Sequence, residues 1–246
     1  MKNSRLATMF IATVALSGLL MFGGSALKIT AFHHYQFASL LIISVAASRM
    51  KIKLPGMNGN MSVNLPFILI AAAQLSLFEA VTIALISAAV QSIPKAGQEL
   101  VPARILFNAG TMTMAAGSAG LVLHSAWLAA LTPGLAAASL VAAGSVFFLV
   151  NTLPVATILS LTEGPHLLRV WSNIFHLSFP YYLACTGLTS VITAMSQHMG
   201  WQMPLIVLPA TLLMYRSYRM YFAGNGELAQ STPLPQATKA RAAGAS

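Results

Sequence analysis

The sequence predicts an all-α fold, a polytopic integral membrane helix bundle of about eight transmembrane helices with one interfacial amphipathic helix. Three observations carry this. Hydrophobic residues make up 57% of the chain and charged residues only 7%, where a soluble domain carries about 25% charged residues. Apolar runs of helix length recur from end to end, without the short alternating segments of a membrane barrel. Basic residues gather at alternate junctions between these runs, which is the pattern of the positive-inside bias.

The first run, Leu6–Leu27, follows Lys2 and Arg5 and carries Ala12, Ala15, Ser17, Gly18, Gly23 and Gly24. Small residues of this kind let helices approach closely in lipid, so packing against protein is expected. Its flanks resemble a signal peptide, but the apolar stretch is longer than a usual leader, and a retained anchor is expected over cleavage within residues 1–26. The second run, Ala31–Ala47, opens on His33, His34 and Tyr35 and ends on Arg49-Met50-Lys51-Ile52-Lys53. That basic cluster reads as an interfacial anchor or a contact for anionic lipid.

Leu54–Ile93 sets the topology. A loop with Pro55-Gly56 and Asn58-Gly59 turn signals runs into two apolar segments, Met61–Gln74 and Leu77–Ile93, with almost no linker. A single helix of about 33 residues would reach roughly 50 Å, well beyond a hydrocarbon core of about 30 Å. The chain therefore breaks, and Ser76 with Glu79 supplies the capping box for a new start. Asn64-Leu65-Pro66 suits a helix start as late as Leu65, a half-length helix whose positive end lies inside the membrane.

The later runs are Ala103–Leu123, Leu135–Leu161, Phe179–Ser196 and Met203–Tyr218. The first should be central, since Gly110, Ala116, Gly117 and Gly120 share much of one side. In the second, Pro154 withholds an N–H from Val150 and should kink the helix, and Gly164-Pro165 should end it. Pro165–Leu177 is too short and polar to cross, and reads as the amphipathic helix lying in the interface. Residues 1–222 form the transmembrane domain, and 223–246 read as a disordered cytoplasmic tail with no soluble domain after it.

The formal charge is +9. With both termini cytoplasmic, Lys28 is the one basic residue placed outside, so the excess reflects topology and not nucleic-acid binding. Cys185 stands alone and reads as a packing residue. There is no Asp in the chain, and the acids are Glu79, Glu99, Glu163 and Glu227. Neither a catalytic carboxylate pair built on Asp nor any cofactor fingerprint is present, and no metal set is expected from the scattered histidines. The protein is expected not to be an enzyme and to need no cofactor.

Depth along each run, at about 1.5 Å per residue, brings four amides into the cytoplasmic half. Asn64, Gln91 and Asn108 would line a polar pocket open to the cytoplasm, with Asn151 as its floor. Such side chains serve either as a ligand site or as interhelical hydrogen bonds. Glu163, Arg169 and Trp171 mark the end of one run and the amphipathic segment, where a partner would touch.

Several of these stretches resemble a family of multi-span membrane domains at the N-termini of bacterial signalling proteins. The matching residues are Leu54-Pro55-Gly56, Met61-Ser62-Val63-Asn64-Leu65-Pro66-Phe67, Asn151-Thr152-Leu153-Pro154-Val155, Thr162-Glu163-Gly164, Leu167-Leu168-Arg169-Val170-Trp171 and Phe179-Pro180-Tyr181-Tyr182. In that family a GGDEF diguanylate cyclase or an HD-type phosphohydrolase follows the membrane part. The resemblance implies a sensor in the bacterial inner membrane, here without the output domain, that binds a small molecule or lipid and acts through a protein partner or homo-oligomer. A looser pattern, short apolar hairpins after a glycine-rich loop, is similar to the substrate-binding subunits of energy-coupling-factor vitamin transporters. It implies the alternative, a transport subunit for a small solute.

Overall fold

The computed structural model describes residues 4–27, 32–53, 60–94, 99–125, 136–195 and 203–231. Among them are eight helices: α1 (Ser4–Ala26), α2 (His34–Ser48), α3 (Leu65–Gln74), α4 (Leu77–Ser92), α5 (Pro102–Leu123), α6 (Ala136–Glu163), α7 (Leu167–Met195) and α8 (Met203–Ser231). Between α2 and α3 two short strands, β1 (Lys51–Lys53) and β2 (Asn60–Ser62), form an antiparallel ribbon. The glycine-rich loop, Lys2, Lys28, Lys95, His198 and the chain after Ser231 lie outside the described residues.

The chain turns back between α3 and α4 at Leu75 and Ser76. Ser76 Oγ accepts from the Glu79 amide at 3.3 Å, and the Glu79 carboxylate accepts from the Ser76 amide at 2.9 Å, so the capping box closes in both directions. Ser62, just before α3, reaches Gln91 at the end of α4. The two helices are therefore antiparallel. The same alternation of direction brings Arg5, Arg49, Lys51, Arg104, Arg169, Arg216 and Arg219 to one end of the bundle. Arg49 is not a free anchor there: its guanidinium donates to the carbonyls of Val90 at 3.0 Å and Ile93 at 3.3 Å, closing the C-terminus of α4.

The core is built around α3. Leu65 through Ala72 are all buried, enclosed by α2, α4, α5, α7 and α8. Helix α5 is central, as its small residues predict, and packs on α1, α3, α4 and α6. Gly18 and Gly110 are the contact with α1: a Cβ on Gly110 would stand 2.7 Å from the Val14 carbonyl oxygen. The other face of α1 carries exposed Leu6, Met9, Leu16, Leu19 and Leu20. A stripe of that size suits lipid and not water, so α1 meets both protein and bilayer.

Two expectations need correction. Only three helices among the described residues are long and apolar enough to cross a membrane, within Arg5–Ala26, Pro102–Leu123 and Ala138–Glu163, and not about eight. The apolar helices α2, α3 and α4 have 15, 10 and 16 residues, about 15 to 24 Å at about 1.5 Å per residue, short of a core of about 30 Å. The amphipathic segment is not a separate interfacial helix. It is the first part of α7, which continues through Pro180 to Met195, because a proline inside a helix removes one hydrogen bond without ending it when packing holds both sides. Helix α8 continues past Ala223 to Ser231.

Pro154 lies inside α6 as the sequence suggests. Gly164 ends that helix with φ +87°, the left-handed conformation that glycine adopts without a Cβ penalty. The α6–α7 hairpin is then fastened by aromatic rings, with Phe148 edge-on to Phe175, Phe179 and Tyr182.

Candidate functional site

At the basic end, the ribbon lies across the start of α3. Cross-strand partners share a face, and Lys51 pairs with Ser62. The opposite face presents Ile52 and Val63, both buried, to Leu177 of α7 and to Tyr215 and Tyr218 of α8. The ribbon thus has a polar face toward α3 and α4 and an apolar face toward the last two helices. Tyr181 of α7 ties it further, donating its phenolic proton to the Ser62 carbonyl at 3.3 Å.

Ser62 is the centre of the polar face. Its hydroxyl hydrogen-bonds Asn64 Oδ1 and lies 3.0 Å from the Gln91 side-chain oxygen. A hydroxyl carries one proton, so it donates to one amide at a time, and rotation of the Gln91 amide turns the second contact into an N–H donation. Asn64 sits at the N-cap position of α3 but its backbone is helical, φ −83° and ψ −8°, and its side chain does not cap. A capping residue is ordinarily extended, which aims its oxygen at the first amides. Asn64 is 1% exposed and its Nδ2 has no hydrogen-bond partner among the described residues. An unmatched buried donor costs about 1–3 kcal/mol.

The structure brings together Asn64 and Gln91, through Ser62, and leaves the other two amides elsewhere. Asn108 Nδ2 donates to Ser92 Oγ at 2.9 Å, joining α5 to the end of α4. Asn151 Nδ2 donates to the Tyr182 hydroxyl at 2.6 Å, joining α6 to α7. Those two bonds are interhelical fastenings. Glu163 and Arg169 are exposed on either side of the α6–α7 turn. Trp171 faces inward, its indole N–H 3.3 Å from Thr152 Oγ1 and its ring against Phe175.

Sequence reasoning missed Ser62 and Tyr181 at this end. Ser62 had a local signal, a hydroxyl two residues before an amide at a helix start. Tyr181 is 119 residues from its partner and has none. At the opposite end it missed the second role of Glu79, which also accepts from the His33 amide at 2.6 Å. A shallow depression lined by Phe32, His33, His34, Tyr35 and Gln36 adjoins that contact. Among the described residues no group of three or more His, Cys, Asp or Glu side chains is placed to hold a metal.

A family model, MASE9, matches residues 8–221, nearly the whole helical bundle. The chain belongs to the MASE9 family. MASE9 is a membrane-associated sensor family, which fits a membrane location and a sensor-like role for this bundle of apolar helices. The match takes in the ribbon, α3 and all the residues of the Ser62 cluster. No curated protein and no solved structure matches the chain.

Proposed function

We propose that this MASE9 chain is a sensor of the bacterial inner membrane, with both termini in the cytoplasm, that binds a small molecule or lipid at the Ser62, Asn64 and Gln91 cluster and passes the bound state to a protein partner. Its role is non-enzymatic. The observation that carries the reading is the Asn64 side chain, buried with an unmatched Nδ2, beneath a ribbon whose other face packs on α7 and α8. A ligand that matches the amide acts on the ribbon, and the ribbon acts on the helices that lead out of the bundle. The exposed corner formed by Glu163 and Arg169, backed by Trp171, is the contact for the partner, and the resemblance to membrane parts of GGDEF and HD-type signalling proteins indicates the partner's class.

The test is affinity purification of the tagged chain from native membranes, beside an Arg169→Glu variant. A diguanylate cyclase or HD-type phosphohydrolase protein should accompany the wild type and be lost with the variant. Recovery of a transport ATPase, with solute movement into liposomes containing the complex, would refute the sensor reading. Orientation is tested separately by Leu100→Cys, an exposed position before α5. An impermeant maleimide should reach it only after the cells are opened.

A further inference from the structure

Resting on the reading that the Ser62 cluster is the ligand site, we propose that the group it takes is a phosphate oxyanion, held by the Asn64 NH2, the first amides of α3 and the Lys51 ammonium. Three separate features converge on an anionic acceptor. The buried Asn64 Nδ2 is a donor without an acceptor among the described residues. Helix α3 begins beside it without a side-chain cap, so the amides of its first turn, Pro66 excepted, lack the carbonyl four residues back that interior amides have, and the helix dipole adds positive potential. Lys51, paired across the ribbon with Ser62, puts a cation on the polar face.

Donors and positive potential at a helix start recognise phosphate through several charge-assisted hydrogen bonds at once. A neutral ligand would use the NH2 but gain little from the dipole or the lysine. The nearest acid in α4, Glu79, stands in its first turn at the far end of that helix from Gln91, so it does not oppose an anion. The cluster is closed in this structure, with Ser62 7% and Asn64 1% exposed. Access therefore requires the ribbon to lift from Gln91 and Tyr181, which couples binding to the apolar contact with Tyr215 and Tyr218.

The experiment uses the full chain in maltoside micelles free of phosphate, labelled with 15N-asparagine. In one arm inorganic phosphate is titrated; in the other, phosphatidylglycerol is added with no free phosphate. The Asn64 side-chain signal, assigned by its loss in Asn64→Asp, should move in at least one arm. Movement in the first identifies a soluble phosphate and in the second a lipid headgroup. Lys51→Gln, on the ribbon and outside the helical core, should weaken the response about tenfold, as loss of one charge-assisted contact does. A signal that moves with glycerol but in neither phosphate arm overturns the oxyanion and keeps the ligand site. A signal still under all three probes overturns both.

Discussion

Glu79 and His33 are joined twice: the His33 amide donates to Glu79 Oε1 at 2.6 Å, and His33 Nδ1 lies 3.3 Å from Glu79 Oε2. The same carboxylate takes the Ser76 hydroxyl at 2.6 Å and the Ser76 amide at 2.9 Å. It has no exposed surface. One side chain thus closes the α3–α4 turn and pins the start of α2 to it.

Replacing that carboxylate is therefore costly. Glu79→Gln keeps the size but sets an NH2 against groups that already donate, leaving at least one of them unmatched. A loss of about 1–3 kcal/mol is expected, read as a lowered midpoint of thermal unfolding in detergent. His33→Ala keeps the backbone donor and removes only the ring contact, so its loss should be under about 1 kcal/mol. Equal losses in the two variants would contradict the central place given to the carboxylate.

The α1–α5 contact makes a sharper steric prediction. Gly110→Ala puts a methyl group 2.7 Å from the Val14 carbonyl oxygen and 3.0 Å from the Ala15 Cα. Backbone on both sides leaves nothing to rotate away, and overpacking of this kind costs about 1–3 kcal/mol. Gly187→Ala, with nothing within 4 Å of the new Cβ, is the comparison and should unfold like the wild type.

Asn151 and Tyr182 should behave as a coupled pair. Asn151→Leu and Tyr182→Phe each leave the other group without its 2.6 Å partner, while the double variant leaves neither stranded. A double-mutant cycle of unfolding free energies should return a coupling of about 1 kcal/mol. If Asn151 were instead a wall of the ligand site, Asn151→Leu would abolish phosphate binding while Tyr182→Phe would leave it intact.

How far the sequence foresaw these features depends on their range. The α3–α4 turn was legible because its capping box spans four consecutive positions, Ser76 to Glu79, and short-range hydrogen bonding announces itself in residue order. The His33 contact crosses 46 residues and leaves no such trace. Position along a helix follows from residue order as well, since the rise per residue fixes how far from the helix end an amide lies. Azimuth does not: Gln91, Asn108 and Asn151 sit in the expected helices and Asn64 just ahead of α3, yet only the packing of those helices decides that Ser62 gathers two of them while Ser92 and Tyr182 take the others. The count of spans went wrong for a related reason, because hydropathy marks what avoids water without saying whether lipid or protein surrounds it. Helix α3 is the clearest case, apolar like a span but ten residues long and buried by its neighbours.

Cys185 offers a simple measure of all these variants. It is the one cysteine of the chain and is fully buried in α7. A thiol reagent should leave the native protein unmodified and label it with the same midpoint as thermal unfolding. Rapid labelling of the wild type at room temperature would show that α7 opens without global unfolding.

The enclosure of α3 also bears on how the protein is made. This helix is synthesised early, yet part of its final surroundings comes from α7 and α8, which emerge from the ribosome more than 90 residues later. Until those helices exist one flank of α3 lacks its final cover, and the helix finds its last neighbours only when the chain is almost complete. The short rod at the middle of the interior thus depends for its cover on chain that is made long after it.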